Sequence, residues 1–421
     1  MTEQTRSLPA VKVRRPRDRK AQIVSAAGDL FYRRGYHNVG MGDIAGAVGI
    51  TAGALYRHFA SKQDLLAQAL IEAFDRALDL VQVEPPLDLA GLIDGLAVTA
   101  GPRRHLGVLW NREARHLDDA RRRRMRDRFF GFVEQFQQQL RVSRPELDRE
   151  DASLLCWCAL GVLTSPSYHQ GELAADAMID LLKRMTLAVC TSPLEHRASP
   201  SAVVDRRPDR GLVPSSRRES ILAAATRLFH VRGYQAVSMD DIGAAVGMTS
   251  AGVYKYFDSK SELLAATIAR ASEPLQLGLT GALASASTSS EGLMNALDAY
   301  IEFAMVHHDL VGILVSEVTN LPDDQRHSVR RSQHDYVAEW IRLLREARPE
   351  MTDAEARFIV HATLTLINDA TRTAELMQRA ELGDDLRLVA RRVLAVEVNR
   401  PVPRPRQPVA PTRSSGTAHT G

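Results

Sequence analysis

Cysteine is scarce in this chain: three of its 421 residues. Cys156, Cys158 and Cys190 cannot build a disulfide framework and point to a reducing compartment. Cys156 and Cys158 stand two apart, which turns them to different sides of a helix, so buried thiols are expected in place of a shared metal. No uninterrupted apolar run approaches the roughly 18–20 residues a membrane helix needs. The opening residues, Met-Thr-Glu-Gln-Thr-Arg, contain no apolar core for a signal peptide. A soluble cytoplasmic protein without membrane association is the expectation. An excess of one charge is missing too: the net charge is +3, so bulk charge argues nothing about partners. A glycine-rich phosphate loop, a nucleophile elbow and a paired metal motif are all absent. No catalytic residue, metal site or cofactor is therefore assigned, and an enzyme is the remote alternative.

What is present is distributed in two. A chain of this length suits two to four domains. Basic residues gather in Arg6, Lys12, Arg14, Arg15, Arg17, Arg19 and Lys20, and again in Arg206, Arg207, Arg210, Arg217 and Arg218. Each basic stretch precedes one copy of a repeated motif. The first copy reads Gly49-Ile-Thr-Ala-Gly-Ala-Leu-Tyr-Arg-His-Phe59, and the second Gly247-Met-Thr-Ser-Ala-Gly-Val-Tyr-Lys-Tyr-Phe257. A shift of 198 aligns Phe31 with Phe229, Gly35 with Gly233, Asp43 with Asp241, Tyr56 with Tyr254 and Lys62 with Lys260. A shift of 204 then aligns Glu113 with Glu317, Phe136 with Trp340 and Leu160 with Leu364. The six-residue difference is expected as an insertion in a loop near 278–292. A whole unit occurs twice.

Helical periodicity dominates and no strand-like alternation competes, so the fold class is all-α, two tandem units. Helices are expected over 18–34, 41–48 and 51–59, then in a longer stripe from Ser61, which caps it. Five further helical segments are expected over 87–100, 106–117, 121–142, 151–163 and 174–189. Gly49 and Gly247 suit the turn of a helix-turn-helix, because a left-handed backbone costs glycine little. Thr51 and Thr249 fall at the N-cap of the next helix. Leu55 and Phe59, like Val253 and Phe257, face inward, leaving Tyr56, Arg57 and His58, or Tyr254, Lys255 and Tyr256, on the outer side. The organisation expected is a disordered basic arm (1–17), a helix-turn-helix domain (18–78), a helical regulatory domain (79–191) and a linker (192–214). A second reader (215–275), a second regulatory domain (276–398) and a disordered tail (399–421) follow.

From the first helix through Gly-Ile-Thr-Ala-Gly-Ala-Leu-Tyr-Arg-His-Phe-Ala-Ser-Lys62, the chain resembles the DNA-binding domain of the tetracycline-repressor (TetR) family, twice. The resemblance implies three helices that read double-stranded operator DNA and a fourth joining them to a variable helical domain. It also implies an unidentified small-molecule effector bound in that domain, and pairing of two units through their last two helices. Carried onto this chain, Thr51, Ala52, Gly53 and Ala54 open one recognition helix, and Thr249, Ser250, Ala251 and Gly252 the other. Small side chains there admit the helix to a major groove. Tyr56, His58 and Lys62, with Tyr254, Tyr256 and Lys260, match the family's phosphate contacts; Arg57 and Lys255 reach guanine or backbone. Two departures separate the copies. The family's serine or threonine near the start of the second helix, a side-chain phosphate contact, is Ser238 in the second copy but Gly40 in the first, and the glycine of the recognition helix is Gly53 in one copy but Gly252, one place later, in the other. Two unlike readers on a quasi-palindromic operator with unequal half-sites are expected, in a ligand-responsive repressor. A regulator without an effector, one half being structural, is the alternative.

Family units pair, so the second half is expected as partner of the first within one chain, with a second chain as the alternative. The linker could span roughly 80 Å extended, against a radius of gyration near ~16 Å for a half, and effective concentration favours the pair in cis. Its interface is expected among 151–163 with 174–189 and 353–373 with 384–396. Pocket candidates are His105, Trp110, Glu113 and Trp157 in the first half, and Tyr300, Phe303, His307, Glu317 and His361 in the second.

Overall fold

The computed structural model of the chain describes residues 16–84, 86–169, 171–194 and 214–397, the side chains of 16–18 excepted. The expected basic arm, the linker with Arg206, Arg207 and Arg210, and the tail lie almost wholly outside the described residues. Those described form helices and turns, with no strand among them.

The first half runs α1 (Pro16–Arg34), α2 (Met41–Val48), α3 (Ala52–Tyr56), α4 (Lys62–Val81) and α5 (Leu89–Ala100). After α6 (Leu106–Val108) the backbone widens over Leu109–Glu113 and tightens over Ala114–His116, before α7 (Asp119–Ser143), α8 (Arg149–Thr164) and α9 (Ala175–Cys190). The second half repeats this as α10 (Arg217–Arg232), α11 (Met239–Ala245), α12 (Ser250–Val253), α13 (Lys260–Ala284) and α14 (Ser289–Val306). It continues with α15 (His308–Ser316), α16 (Asp323–Ala347), α17 (Asp353–Thr371) and α18 (Leu382–Leu394). The extra residues of this half are not a loop. They lengthen α13 and the start of α14, leaving only 285–288 between the two helices. No single helix among the described residues is long and apolar enough to cross a membrane.

Caps set these boundaries. Ser61 Oγ accepts Asp64 N at 3.1 Å, and Ser259 Oγ accepts Glu262 N at 3.1 Å, so each long helix starts where its serine satisfies an orphan N–H. Asp148 and Thr352, related by the shift of 204, cap α8 and α17 in the same way.

The central helices α8 and α17 are apolar on nearly every side, a pattern that suits only a helix surrounded by protein. They cross each other, with α9 and α18 alongside. Gly161 marks the crossing, since a Cβ there would lie 2.7 Å from Leu366 Cα. Leu154, Val162, Met185, Phe358, Ile367 and Val389 belong to one core that spans both halves. Its edge is polar and crosses between halves: Arg379 Nη2 donates to Asp151 Oδ1 at 2.7 Å, and Arg392 Nε donates to Ala188 O at 3.1 Å. The two halves thus meet through the helices expected. The three cysteines are buried and free within this core.

Candidate nucleic-acid interface

Each reader is a small core with a helix-turn-helix on one side. In the first, Ile23, Phe31, Ile44, Leu55, Phe59 and Leu65 are buried together; in the second, Ile221, Phe229, Ile242, Val253, Phe257 and Leu263. The turn depends on glycine: Gly49 and Gly247 have φ of 70° and 66°. Ile50 N and Met248 N then reach back to Ala45 O and Gly243 O at 3.0 and 2.8 Å, closing α2 and α11. Thr51 Oγ1 accepts Ala54 N at 3.2 Å, and Thr249 Oγ1 accepts Gly252 N at 3.3 Å, so the short recognition helices start at the expected caps.

The outer face matches the expectation in position. Tyr56 and Tyr254 are 55% and 49% exposed, so neither serves to pack α3 or α12 onto the first helix of its reader. Arg57, His58, Lys255 and Tyr256 are exposed beside them, as are Thr51, Ala52, Gly53, Thr249 and Ala251, while Ala54, Ser250 and Gly252 are half-buried. A Cβ on Gly53 would meet nothing within 4 Å, whereas one on Gly252 would press on Met248 Cε at 3.0 Å. The displaced glycine of the second reader is therefore accommodated by its own turn.

Two expectations change. Lys62 does not stand free to meet a phosphate. Its Nζ donates to Tyr36 O at 2.8 Å and Val39 O at 2.9 Å and lies 4.2 Å from the Tyr36 ring centre. Lys260 repeats this on Tyr234 O, Val237 O and the Tyr234 ring, at 3.0, 2.9 and 4.3 Å. Burial lowers both ammonium pKa values. These lysines pin the turn after the first helix to the start of the fourth. The identical spacing of 26 between tyrosine and lysine in both copies was the available signal. Ser238 likewise turns inward: its Oγ donates to Asp241 Oδ2 at 2.6 Å and accepts Asp241 N at 3.1 Å. These bonds, with Arg232, hold the Asp241 carboxyl down at about 2. Gly40 N is taken by Asp43 Oδ2 at 2.7 Å in the same place.

The glutamates expected near a pocket instead join each reader to its regulatory domain. Glu113 is buried; its Oε2 accepts Tyr36 N at 3.2 Å and its Oε1 accepts Arg112 Nε at 2.5 Å. Arg112 also donates to Phe31 O and Tyr32 O, carbonyls in the last turn of α1, the first of which also accepts Gly35 N. Glu317 is fully buried and accepts Tyr234 N at 3.3 Å and Asn320 Nδ2 at 2.8 Å. Its arginine is Arg115, from the first half. Arg115 runs over Gly233, where a Cβ would lie 2.5 Å from its Nη1. His105 is also a joint and lines neither of the two cavities described below: its Nδ1 is 3.2 Å from Asp29 Oδ1 on α1. The matching joint in the second half is inverted, with His230 on the reader 3.5 Å from Asp309 on the regulatory domain.

Two cavities flank the central helices. The first, about 470 Å³, is lined by Phe74, Trp110, Phe129 and Trp157 and closed by Asp369 and Arg372 of the second half. The second, about 940 Å³, includes Tyr300 and His361 and is closed by Tyr168 and His169 of the first half. Phe303 and His307 line neither cavity; Phe303 is buried, with its ring 5.0 Å from that of His307 at the end of α14.

A doubled helix-turn-helix, each copy fused to a helical domain, defines the class. The model for bacterial regulatory proteins of the tetR family matches residues 23–69 and 221–267, and a tetracyclin repressor-like C-terminal domain matches residues 286–372. The chain belongs to the tetR family. It is 34% identical over 108 residues to the HTH-type transcriptional activator FasR of Mycolicibacterium smegmatis, covering 26% of this chain and 48% of that protein. It is 42% identical over 60 residues to the regulator TtgR of Pseudomonas putida, covering 14% of this chain and 28% of that one. The repressor KstR2 of M. smegmatis is 27% identical over 164 residues, 37% of this chain and 80% of that protein. The chain thus spans about half the length of FasR and less of TtgR. A TetR-family regulator from Bordetella parapertussis aligns with a TM-score of 0.39 at 21% identity, over 43% of this chain and 93% of that one.

Proposed function

We propose that the protein is a DNA-binding transcriptional regulator in which one chain acts as a dimer. Its two readers engage one quasi-palindromic operator whose half-sites differ. The observation that carries this reading is the shared core of α8, α9, α17 and α18, which joins two complete readers within a single chain. Tyr56, Arg57, His58 and their counterparts Tyr254, Lys255 and Tyr256 supply phosphate contacts, with Thr51, Ala52, Gly53 and Ala54, or Thr249, Ser250, Ala251 and Gly252, at base edges. Lys62, Lys260 and Ser238 act indirectly, by holding the turns. The first cavity is the effector site, and its aromatic lining suits a molecule with a flat or acyl apolar body. Ligand there meets Asp369 and Arg372 of the other half, so binding favours one relative placement of the halves. Relatives include an activator and a repressor; repression is the reading for this chain where the operator overlaps a promoter.

The test is to sequence genomic fragments captured by the purified chain and titrate them by fluorescence anisotropy across salt concentrations. Affinity falling linearly in log–log form as salt rises, on fragments sharing an imperfect inverted repeat, is the expected result. No salt-sensitive binding to any fragment would overturn the proposal.

A further inference from the structure

The two cavities occupy repeat-related places, yet their linings have diverged. Where the first has Phe74, Trp110, Phe129 and Trp157, the second has Ser272, Leu314, Gln333 and His361 at the positions given by the repeat shifts. The second is larger, about 940 Å³ against about 470 Å³. Its charge is also one-sided: Arg33 of α1, Arg112, Arg330 of α16 and Arg357 of α17 line it, against the single carboxylate of Asp369. Arg112 is matched by Glu113 at 2.5 Å and Arg357 by Asp353 at 3.2 Å. Neither Arg33 nor Arg330 meets a carboxylate among the described residues. Burial lowers the Arg330 pKa, and repulsion from Arg326 and Arg112 adds to it.

A neutral donor completes the lining. His169 is 7% exposed, and its Nδ1 accepts Gly171 N at 3.0 Å, which leaves the ring hydrogen on Nε2. That Nε2–H is buried without a partner among the described residues, a rare condition in folded proteins. The ring cannot turn easily to find one, because Phe358 meets it edge-on at 4.3 Å and His361 stacks on it at 4.6 Å. Two uncompensated guanidinium groups and an unused N–H call for the same thing in a ligand: oxygen acceptors carrying negative charge.

We propose that the second cavity binds an organic anion, a polar molecule bearing carboxylate or phosphate groups, through Arg33, Arg330 and His169. Such an anion connects α1 of the first reader to α16 of the second half. The chain then senses two chemistries, an apolar molecule in one cavity and an anion in the other. The binding claim stands apart from the DNA reading; only its regulatory consequence rests on that reading.

Calorimetry on the full chain without DNA tests it, with citrate as the carboxylate probe, pyrophosphate as the phosphate probe and choline as a cationic control. At least one anion is expected to bind saturably at one site per chain, and choline not at all. The double variant R33Q/R330Q should weaken that binding at least tenfold, and H169F should weaken it by a smaller factor, while W110F in the first cavity leaves it unchanged. Both arginines are exposed and lie outside the recognition helices α3 and α12, so the double variant keeps its fold, and anisotropy with operator DNA reports separately on the readers. Binding of neither anion, or equal binding by wild type and R33Q/R330Q, would overturn the proposal even if DNA binding is intact. Anion binding without DNA binding would uphold it and count against the proposed function alone.

Discussion

In the first half, the buried carboxylate that receives the reader's Tyr36 N–H is Glu113, and its arginine is the adjacent Arg112. In the second half Glu317 receives Tyr234 N–H, but its arginine is Arg115 of the first half. The shift of 204 puts Ser316 where Arg112 stands and Thr319 where Arg115 stands. Duplication kept the glutamates and moved the cation. The first reader's glutamate is paired within its own half, whereas the second's is paired across the interface. The second reader also meets its own regulatory domain, through His230 and Asp309 and through Ile313, Val318 and Leu321, so Arg115 ties the partner half into a joint that the second half already makes.

The largest effect expected from breaking this comparison is at Arg115. Arg115→Ala leaves a fully buried Glu317 carboxylate without its cation and should cost about 3 kcal/mol of the second reader's docking. Urea unfolding and separate affinities for the two half-sites measure it, the loss falling on the second half-site. Ser316→Arg in the same chain recreates the arrangement of the first half and should recover most of the loss. Equal weakening of both half-sites would sink the comparison.

The second difference is in pH response. His116 stacks on Tyr36 with ring centres 5.2 Å apart, and burial, helped by His37, Arg115, Lys62 and Arg112, pushes its pKa down to about 3. Glu113 is the one facing carboxylate among the described residues, at 3.5 Å. Between pH 6.5 and 3 the unfolded chain takes a proton that the folded chain refuses, so stability falls as pH falls, by about 2 kcal/mol at pH 5. The shift of 204 puts Asn320 in the second half at this place. His116→Asn should therefore lessen the fall in melting temperature between pH 7 and 5, leaving the part that His169 and His361, also held down by burial, contribute; an unchanged slope would show that His116 carries none of it.

Side chains on the reading face should separate from those that hold the turns. Tyr56→Ala and Tyr254→Ala should each lower affinity about tenfold, ~1.4 kcal/mol, without moving the melting temperature, because both rings are exposed. Lys62→Ala should do the reverse in order, lowering stability first by removing two hydrogen bonds to Tyr36 O and Val39 O. The smallest effect is at Gly53, where space is open. Gly53→Ala should stabilise the first reader by about 0.5–1 kcal/mol and weaken only its own half-site, whereas Ala251 of the second reader already fills that position.

Local features were legible in the chain because they are set by near neighbours: Thr51 and Thr249 as caps, Gly49 and Gly247 in left-handed turns, Leu55 and Phe59 facing inward. The helices that join the halves were expected only from what the family resemblance implies; α18, with Asp384, Arg387 and Arg391 along it, reads by itself as a surface helix. Roles set by distant partners were not. Lys62 matches a phosphate ligand by position, but Tyr36 O and Val39 O take its ammonium, and Glu113 falls near the expected pocket, but Tyr36 N takes its carboxylate. Arg115 carried a faint signal, since its repeat partner is Thr319 and that of Arg112 is Ser316, but only the fold brings it to Glu317.

Native mass spectrometry of the protein bound to a footprinted operator tests the central claim most directly. One chain per duplex, with both half-sites protected from cleavage, is the predicted result. Two chains per duplex, each protecting a single half-site, would contradict it.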